Sequence, residues 1–223
     1  MLNVHELTKK YGETTVFKNV SFSAAPGEII GLIGENGAGK STLLNILATI
    51  AKPSAGQITL NGETYVNNKQ HIRNQIGFVP QEIAIWDEFT VEENMIFFEK
   101  LSAKRRSPKQ LRKLCLNMKL EQWKVPVRHL SGGMKRKLNL AISLIHNPTV
   151  LLLDEPTVGI DLKSRQEIGQ YLYKLAKHEQ KIIIYTSHDM NEIINLCDRM
   201  ICLGEDQFYE DILVAEGKRV ITF

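Results

Sequence analysis

Residues Gly34 to Thr42 read GENGAGKST, and the first eight fit the spacing G-x-x-x-x-G-K-[ST]. In such a loop the backbone N–H groups of Gly34, Glu35, Asn36, Gly37, Ala38 and Gly39 converge on phosphate oxygens. Lys40 reaches toward the β- and γ-phosphates, and the Ser41 hydroxyl, with Thr42 beside it, opens a helix and can ligate Mg²⁺. The flanks supply the setting that the loop requires. Ile29-Ile30-Gly31-Leu32-Ile33, bounded by Pro26-Gly27, is a short apolar run and predicts a buried strand. Leu43, Leu44, Ile46, Leu47 and Ile50 recur at helical spacing after the loop. A strand, a glycine loop and a helix in that order predict an α/β fold with a parallel sheet. Lys40, as a loop residue, is expected to stand outside the core.

Working outward, Leu2–Leu7 and Val16–Phe22 predict an antiparallel hairpin around Tyr11-Gly12, and Ile76–Val79 another short strand. From about Thr90 to Val127 the strand signals vanish. Thr90 with Glu93, and Ser107 with Pro108, have the pattern of helix starts. This predicts a helical insertion at about residues 82–130 within one domain spanning residues 1–223. Beyond it, Val150–Leu153 predicts a central strand apolar on both faces. A helix (Leu162–Lys177), a strand (Ile182–Thr186), a helix (Met190–Leu196) and a strand-rich final segment complete the alternation.

Two further stretches carry chemistry. Asp154 ends the apolar strand and Glu155 follows it, the position from which a carboxylate can hold Mg²⁺ at a phosphate site. Its neighbour is then free to act on water as a general base. The stretch HLSGGMKRK, His129 to Lys137, opens a second helix at Ser131-Gly132-Gly133, with Met134, Leu138, Ala141 and Ile145 expected on one face of it. Helix starts present unpaired N–H groups and partial positive charge, and Lys135, Arg136 and Lys137 add cations to a second expected anion cradle.

The phosphate loop, LSGG and LLLDEPT, in this order, resemble the ATP-binding cassette (ABC) ATPases over nearly the whole chain, from Leu2 to about Asp198. The resemblance implies a nucleotide sandwiched between two cassettes. Ser131, Gly132 and Gly133 of one would close over the γ-phosphate of ATP held by the phosphate loop of the other. It also implies that Tyr11 stacks on adenine, with a tyrosine packed at a strand end as the lesser alternative. Gln81 in FVPQE would reach Mg²⁺ together with Ser41 and Asp154. Glu155, His188 and Gln81 would form the catalytic set, His188 contacting the γ-phosphate. Asp161 would cross the dimer interface, a role compatible with capping a helix. Met134 stands where many cassettes have glutamine, and VGID replaces the more usual Gly-Leu-Asp. LSGGM followed by basic residues resembles the exporter branch that uses a separate membrane subunit, and no C-terminal regulatory domain of the kind found in sugar importers is read.

The 223 residues carry 43% hydrophobic and 24% charged side chains and a net charge of +3, an ordinary globular balance that is too mild to argue for nucleic acid. No apolar run reaches the length of a membrane span, and the N-terminal stretch lacks the apolar core of a signal peptide. Cys115, Cys197 and Cys202 form no CxxC pair, which predicts buried thiols in a reducing compartment. The expectation is an ATPase subunit on the cytoplasmic face of a membrane, partnered by a separate permease and by a second cassette, identical or different. A cassette ATPase of DNA repair or translation is the alternative. A GTPase is disfavoured because Asn68-Lys69-Gln70-His71 lacks the aspartate of the guanine-reading motif.

Overall fold

The computed structural model describes residues 1–204 and 207–223. β1 (Leu2–Tyr11) and β2 (Thr14–Ala24) form an antiparallel pair. β3 (Ile29–Ile33) then feeds the phosphate loop and α1 (Lys40–Leu47). β4 (Ala55–Leu60) and β5 (Glu63–Thr64) return to the first sheet, whose order is β2-β1-β4-β5. α2 (Lys69–Arg73) precedes β6 (Ile76–Val79), and α3 (Val91–Leu101), α4 (Pro108–Asn117) and α5 (Gly132–Ser143) follow it. β7 (Val150–Leu153), α6 (Leu162–Glu179), β8 (Ile182–Thr186), α7 (Met190–Leu196), β9 (Arg199–Cys202), α8 (Gln207–Ala215) and β10 (Arg219–Thr222) complete the chain.

The second sheet runs β10-β9-β3-β8-β7-β6, with every neighbouring pair parallel. Alternation of side chains along its strands sorts the core into two layers. Ile30, Leu32, Val150, Leu152, Ile182 and Ile184 face α1 and the antiparallel sheet. Ile29, Ile33, Leu151, Leu153, Ile183 and Tyr185 face α5, α6 and the α3–α4 segment. β3, β7 and β8 are buried along their whole length, which is why they read as continuous apolar runs.

Local signals govern the helix starts. Thr90 and Ser107 each accept from the backbone three residues on, and Glu93 and Gln110 return the bond to the cap N–H. Pro108 occupies the first turn of α4, where its missing N–H costs nothing.

Three differences from the sequence reading have physical causes. β1 and β2 extend past the alternating stretches because register shifts at Val4/Leu7, Leu7/Lys9 and Lys9/Lys10 break the period without ending the pairing. The final segment is not purely strand. β10 joins β9 in parallel, a parallel neighbour needs a crossover, and α8 is that crossover. Glu205 and Asp206 of this segment lie outside the described residues. α5 stops at Ser143, so Ile145 reaches the core from the turn beyond the helix.

Candidate functional site

The carboxyl ends of β3, β8, β7 and β6 lie side by side, in that order, and the candidate site is built along this edge. The loop after β3 needs its glycines. Gly34 and Gly39 have φ of 137° and 95°, in the left-handed region. A Cβ at Gly34 would overlap the Leu203 carbonyl, and one at Gly39 would lie 2.6 Å from Val16. α1 starts without a side-chain cap, so its first-turn N–H groups have no local acceptor.

Lys40 does not stand outside the core as the sequence suggested. It is 8% exposed, and its Nζ donates to the carbonyls of Gly34 (2.7 Å) and Glu35 (2.9 Å). The Glu35 carbonyl also accepts from Ala38 N at 3.2 Å, so Lys40 adds a second donor to a turn that is already closed. Burial lowers its pKa, while the carboxylates of Glu155 and Asp154 act in the opposite direction. That coupling ties the loop electrostatically to the end of β7.

At the end of β7, Thr186 is the residue that sequence reading missed. Its hydroxyl accepts from Glu155 N (2.8 Å) and donates to Asp154 Oδ1 (2.9 Å). The only sequence signal was its place at the end of a buried strand, and that strand's position next to β7 is a property of the sheet. Glu155 has φ of 46°, a left-handed conformation that costs a non-glycine residue about 1–3 kcal/mol. The Glu155 carboxylate has partners of its own, distinct from the Thr186 hydroxyl that holds Asp154. Oε1 lies 2.8 Å from His188 Nε2, and Oε2 accepts from Gln81 Nε2 at 3.2 Å. The Glu155 side chain is 12% exposed and that of His188 47%. A cleft of about 490 Å³ opens beside them, between Val158 and Met190. Asp154, Glu155, Gln81 and His188 thus form one constellation. Ser41 is exposed and Thr42 half-buried at the start of α1.

The LSGG stretch is a separate place. Ser131 caps α5, its Oγ accepting from Met134 N at 3.3 Å. A Cβ at Gly132 would meet nothing nearer than the Gly159 carbonyl at 3.7 Å, whereas one at Gly133 would lie 2.6 Å from Ser164 Cβ. Asp161 caps α6 through Ser164 N (2.9 Å), and the bonds from Ser164 hold its pKa below the usual carboxylate range. Among the described residues, no hydrogen bond or ion pair joins residues 131–133 to residues 34–42.

The three cations after this turn are not part of an anion cradle. Lys135 pairs with Asp87 at 2.7 Å, and Arg136 donates to the Gln81 carbonyl at 2.6 Å. Lys137 is buried against Glu167. The helix carries them to one side chain or carbonyl each, so only the backbone start of α5 remains available to an anion. Tyr11 lies at the end of β1, 57% exposed, with Lys9 Nζ 4.4 Å above its ring. An aromatic face already holding a cation is open to a second planar partner on its other side. Cys115, Cys197 and Cys202 are buried; burial pushes the Cys115 thiol up to about 12.

Comparison with known proteins gives a consistent result. A family model described as ABC transporter matches residues 17–158. The linearmycin resistance ATP-binding protein LnrL of Bacillus subtilis is 39% identical over 206 residues, 90% of this chain and 65% of that protein. The Nod factor export ATP-binding protein I of Paraburkholderia xenovorans is 41% identical over 218 residues, 95% of this chain and 69% of that protein. The chain therefore spans about two thirds of the length of these curated relatives. A solved ATP-binding cassette, dimeric in a post-hydrolysis state with ADP and Pi, is 29% identical and superposes with a TM-score of 0.79, covering 91% of this chain and 94% of that one.

Proposed function

We propose that this chain, which belongs to the ABC transporter family, is the ATP-binding and ATP-hydrolysing subunit of a membrane exporter. The observation that carries the reading is the shared edge of the parallel sheet. The phosphate loop, Asp154, Glu155, Gln81 and His188 meet there although they are scattered from residue 34 to residue 188.

In this reading residues 34–42 cradle the triphosphate of ATP and Tyr11 stacks on its adenine. Binding requires Lys40 to release the carbonyls of Gly34 and Glu35 and take up phosphate oxygens, a trade of neutral acceptors for charged ones. The Ser41 hydroxyl, the Gln81 side-chain oxygen and the Asp154 carboxylate are hard oxygen donors of the kind that hold Mg²⁺. Thr186 already orients the Asp154 carboxylate. Such an ion would neutralise charge on the β- and γ-phosphates. Glu155 takes the proton of the attacking water, with its carboxylate steadied by His188 and Gln81. The exposed start of α5 (Ser131, Gly132, Gly133), with Asp161 beside it, serves the γ-phosphate of a partner cassette. The solved dimeric cassette supports that arrangement.

Residues 1–223 act as one nucleotide-binding domain, with the helical insertion at about 82–130. Among the described residues no helix is long and apolar enough to cross a membrane. The chain works from the cytoplasmic face through a separate permease, and no nucleic acid is involved. Trp86, Phe89, Phe97 and Phe98 form a chain of ring contacts with centroids 5.3–6.5 Å apart, edge to face except for the tilted Trp86–Phe89 pair, and Trp86 is 54% exposed. This aromatic group is our candidate for the permease contact.

The test is ATP binding and turnover by the purified chain and by Lys40→Met, a substitution of similar shape without the cation. Wild type should bind and hydrolyse ATP, and Lys40→Met should lose affinity by at least about tenfold. Equal affinity in the two proteins, with matching melting curves, would sink the assignment of the loop.

A further inference from the structure

We propose that a cleft between α4 and α6 binds a small phosphate-bearing polyanion. The cleft has a volume of about 500 Å³ and lies apart from the phosphate loop, sharing no lining residue with it. Lys104, Arg105, Arg106, Lys113 and Lys181 line it, against the one carboxylate of Glu179. Arg105 is engaged by Glu99 at 3.6 Å, and Lys181 lies 3.9 Å from Glu179. Among the described residues Lys104, Arg106 and Lys113 have no carboxylate within ion-pair distance.

The site is built rather than a loose surface cluster. Lys181 forms its floor at 5% exposure, held by Asn147 Oδ1 (3.0 Å) and the Pro148 carbonyl (2.7 Å). The Arg106 guanidinium is anchored through Nε to the Ile145 carbonyl, and its backbone N–H to Glu99 (3.2 Å). That leaves the terminal nitrogens of the fork for a ligand. Tyr171, bonded to Asn117, is buried in the wall and adds polar groups on both helices. Lys181 is compensated by those two bonds and by Glu179, so the cations that remain available to a ligand are those of Lys104, Arg106 and Lys113 at the mouth.

Two neighbouring groups register the unbalanced field. Burial lowers the pKa of Lys181, and Arg106 and Lys104 lower it further against the pull of Glu179. His146 is also lowered, first by burial, with Lys181, Arg106 and Lys104 adding to the effect and the bond to the Ile76 carbonyl opposing it.

Phosphate suits the donors better than a single carboxylate. Arginine forks and several ammonium groups match an anion with more than one charge and several acceptor oxygens. A free phosphorylated metabolite and the headgroup of an acidic phospholipid share this chemistry.

The experiment titrates sodium pyrophosphate into the protein after addition of one equivalent of ADP, so that the phosphate loop is filled while the cleft stays open to the probe. Calorimetry should show a further site whose affinity falls with added salt. Lys104→Glu/Lys113→Glu changes two exposed side chains and should weaken that site by at least about tenfold. ADP affinity and the melting curve should be unchanged. Lys113→Gln, a milder change, should weaken it less. In parallel, the same proteins are sedimented with vesicles of phosphatidylcholine, with and without phosphatidylglycerol. Sedimentation that needs phosphatidylglycerol and is lost in the double variant assigns the site to a lipid headgroup. Pyrophosphate binding without vesicle binding assigns it to a soluble ligand. If neither probe binds wild type, or the double variant binds both equally well, the proposal is overturned.

Discussion

α1 and α5 both begin at glycine-rich turns, but the glycines answer different needs. Before α1, Gly34 and Gly39 hold backbone conformations that side chains rarely adopt, and the turn closes around the buried Lys40. Before α5 no left-handed residue is needed. Ser131 caps the helix itself, Gly133 is required by the closeness of Ser164, and Gly132 faces open space. One start is finished by its own chain, with the electrostatic support of Asp154 and Glu155. The other has its cations withdrawn to Asp87, the Gln81 carbonyl and Glu167, and presents a bare backbone outward. The pair looks alike in sequence because glycine is the answer to conformation, to packing and to close approach alike.

The largest expected effect falls on the first region. Glu155→Gln keeps the shape of the side chain and removes the base. Turnover should fall at least about 100-fold while ATP affinity stays near wild type. Steady-state hydrolysis close to wild type would remove Glu155 from the chemistry.

The next concerns the outward-facing start. Gly132→Asp has room for its side chain, yet sets a carboxylate where a partner's triphosphate is expected. In the Glu155→Gln background, ATP should promote a dimer that light scattering detects. Adding Gly132→Asp should cost about 2–4 kcal/mol of that association and leave monomer. Dimerisation undiminished by the second substitution would break the contrast between the two helix starts.

A smaller effect separates the two glycines of α5. Gly133→Ala forces a methyl against Ser164 and should cost about 1–3 kcal/mol, or about 2–4 °C of melting temperature per kcal/mol for a chain of this size. Gly132→Ala meets no such neighbour and should leave the melting temperature within a degree or so, or raise it slightly, since alanine favours helix. Equal losses in both variants would mean that packing does not distinguish them.

The smallest effect is one of pH. The pKa of Asp161 is lowered by its bonds to Ser164, so its contribution is present at neutral pH. It is lost as pH falls through the lowered value, where the carboxylate takes up a proton in the folded state. Asn at this position also caps a helix but does not titrate. Wild type should therefore lose melting temperature relative to Asp161→Asn on acidification below the ordinary carboxylate range. A difference that stays constant from neutral to acidic pH would show that the carboxylate is not held in its charged form by this cap.

Much of this was legible one segment at a time. The glycine loop stands between a strand and a helix, and the helix caps at Thr90 and Ser107 act over three residues, so spacing alone revealed them. Val150–Leu153 is apolar on both faces because both faces are covered. The register breaks in β1 were not legible, since Glu6 with φ of 47° carries no compositional mark. Nor was Thr186 as the clamp on Asp154 and Glu155.

By itself the sequence determined the local units: which stretches become strand, loop and helix, and which side chains are offered at strand ends. Those choices rest on interactions within about one helical turn or along one strand, and they leave a periodic trace. Only the tertiary structure decided that β8 lies between β3 and β7, with β6 beyond. That order brings Thr186 to Asp154 and Gln81 to Glu155, buries Lys40 under its own loop and turns Arg136 and Lys137 of α5 inward. The reason is that apolar strands of similar length can bury their faces equally well in more than one order. The choice among orders is made by the summed packing of two whole layers, which no short stretch of sequence records.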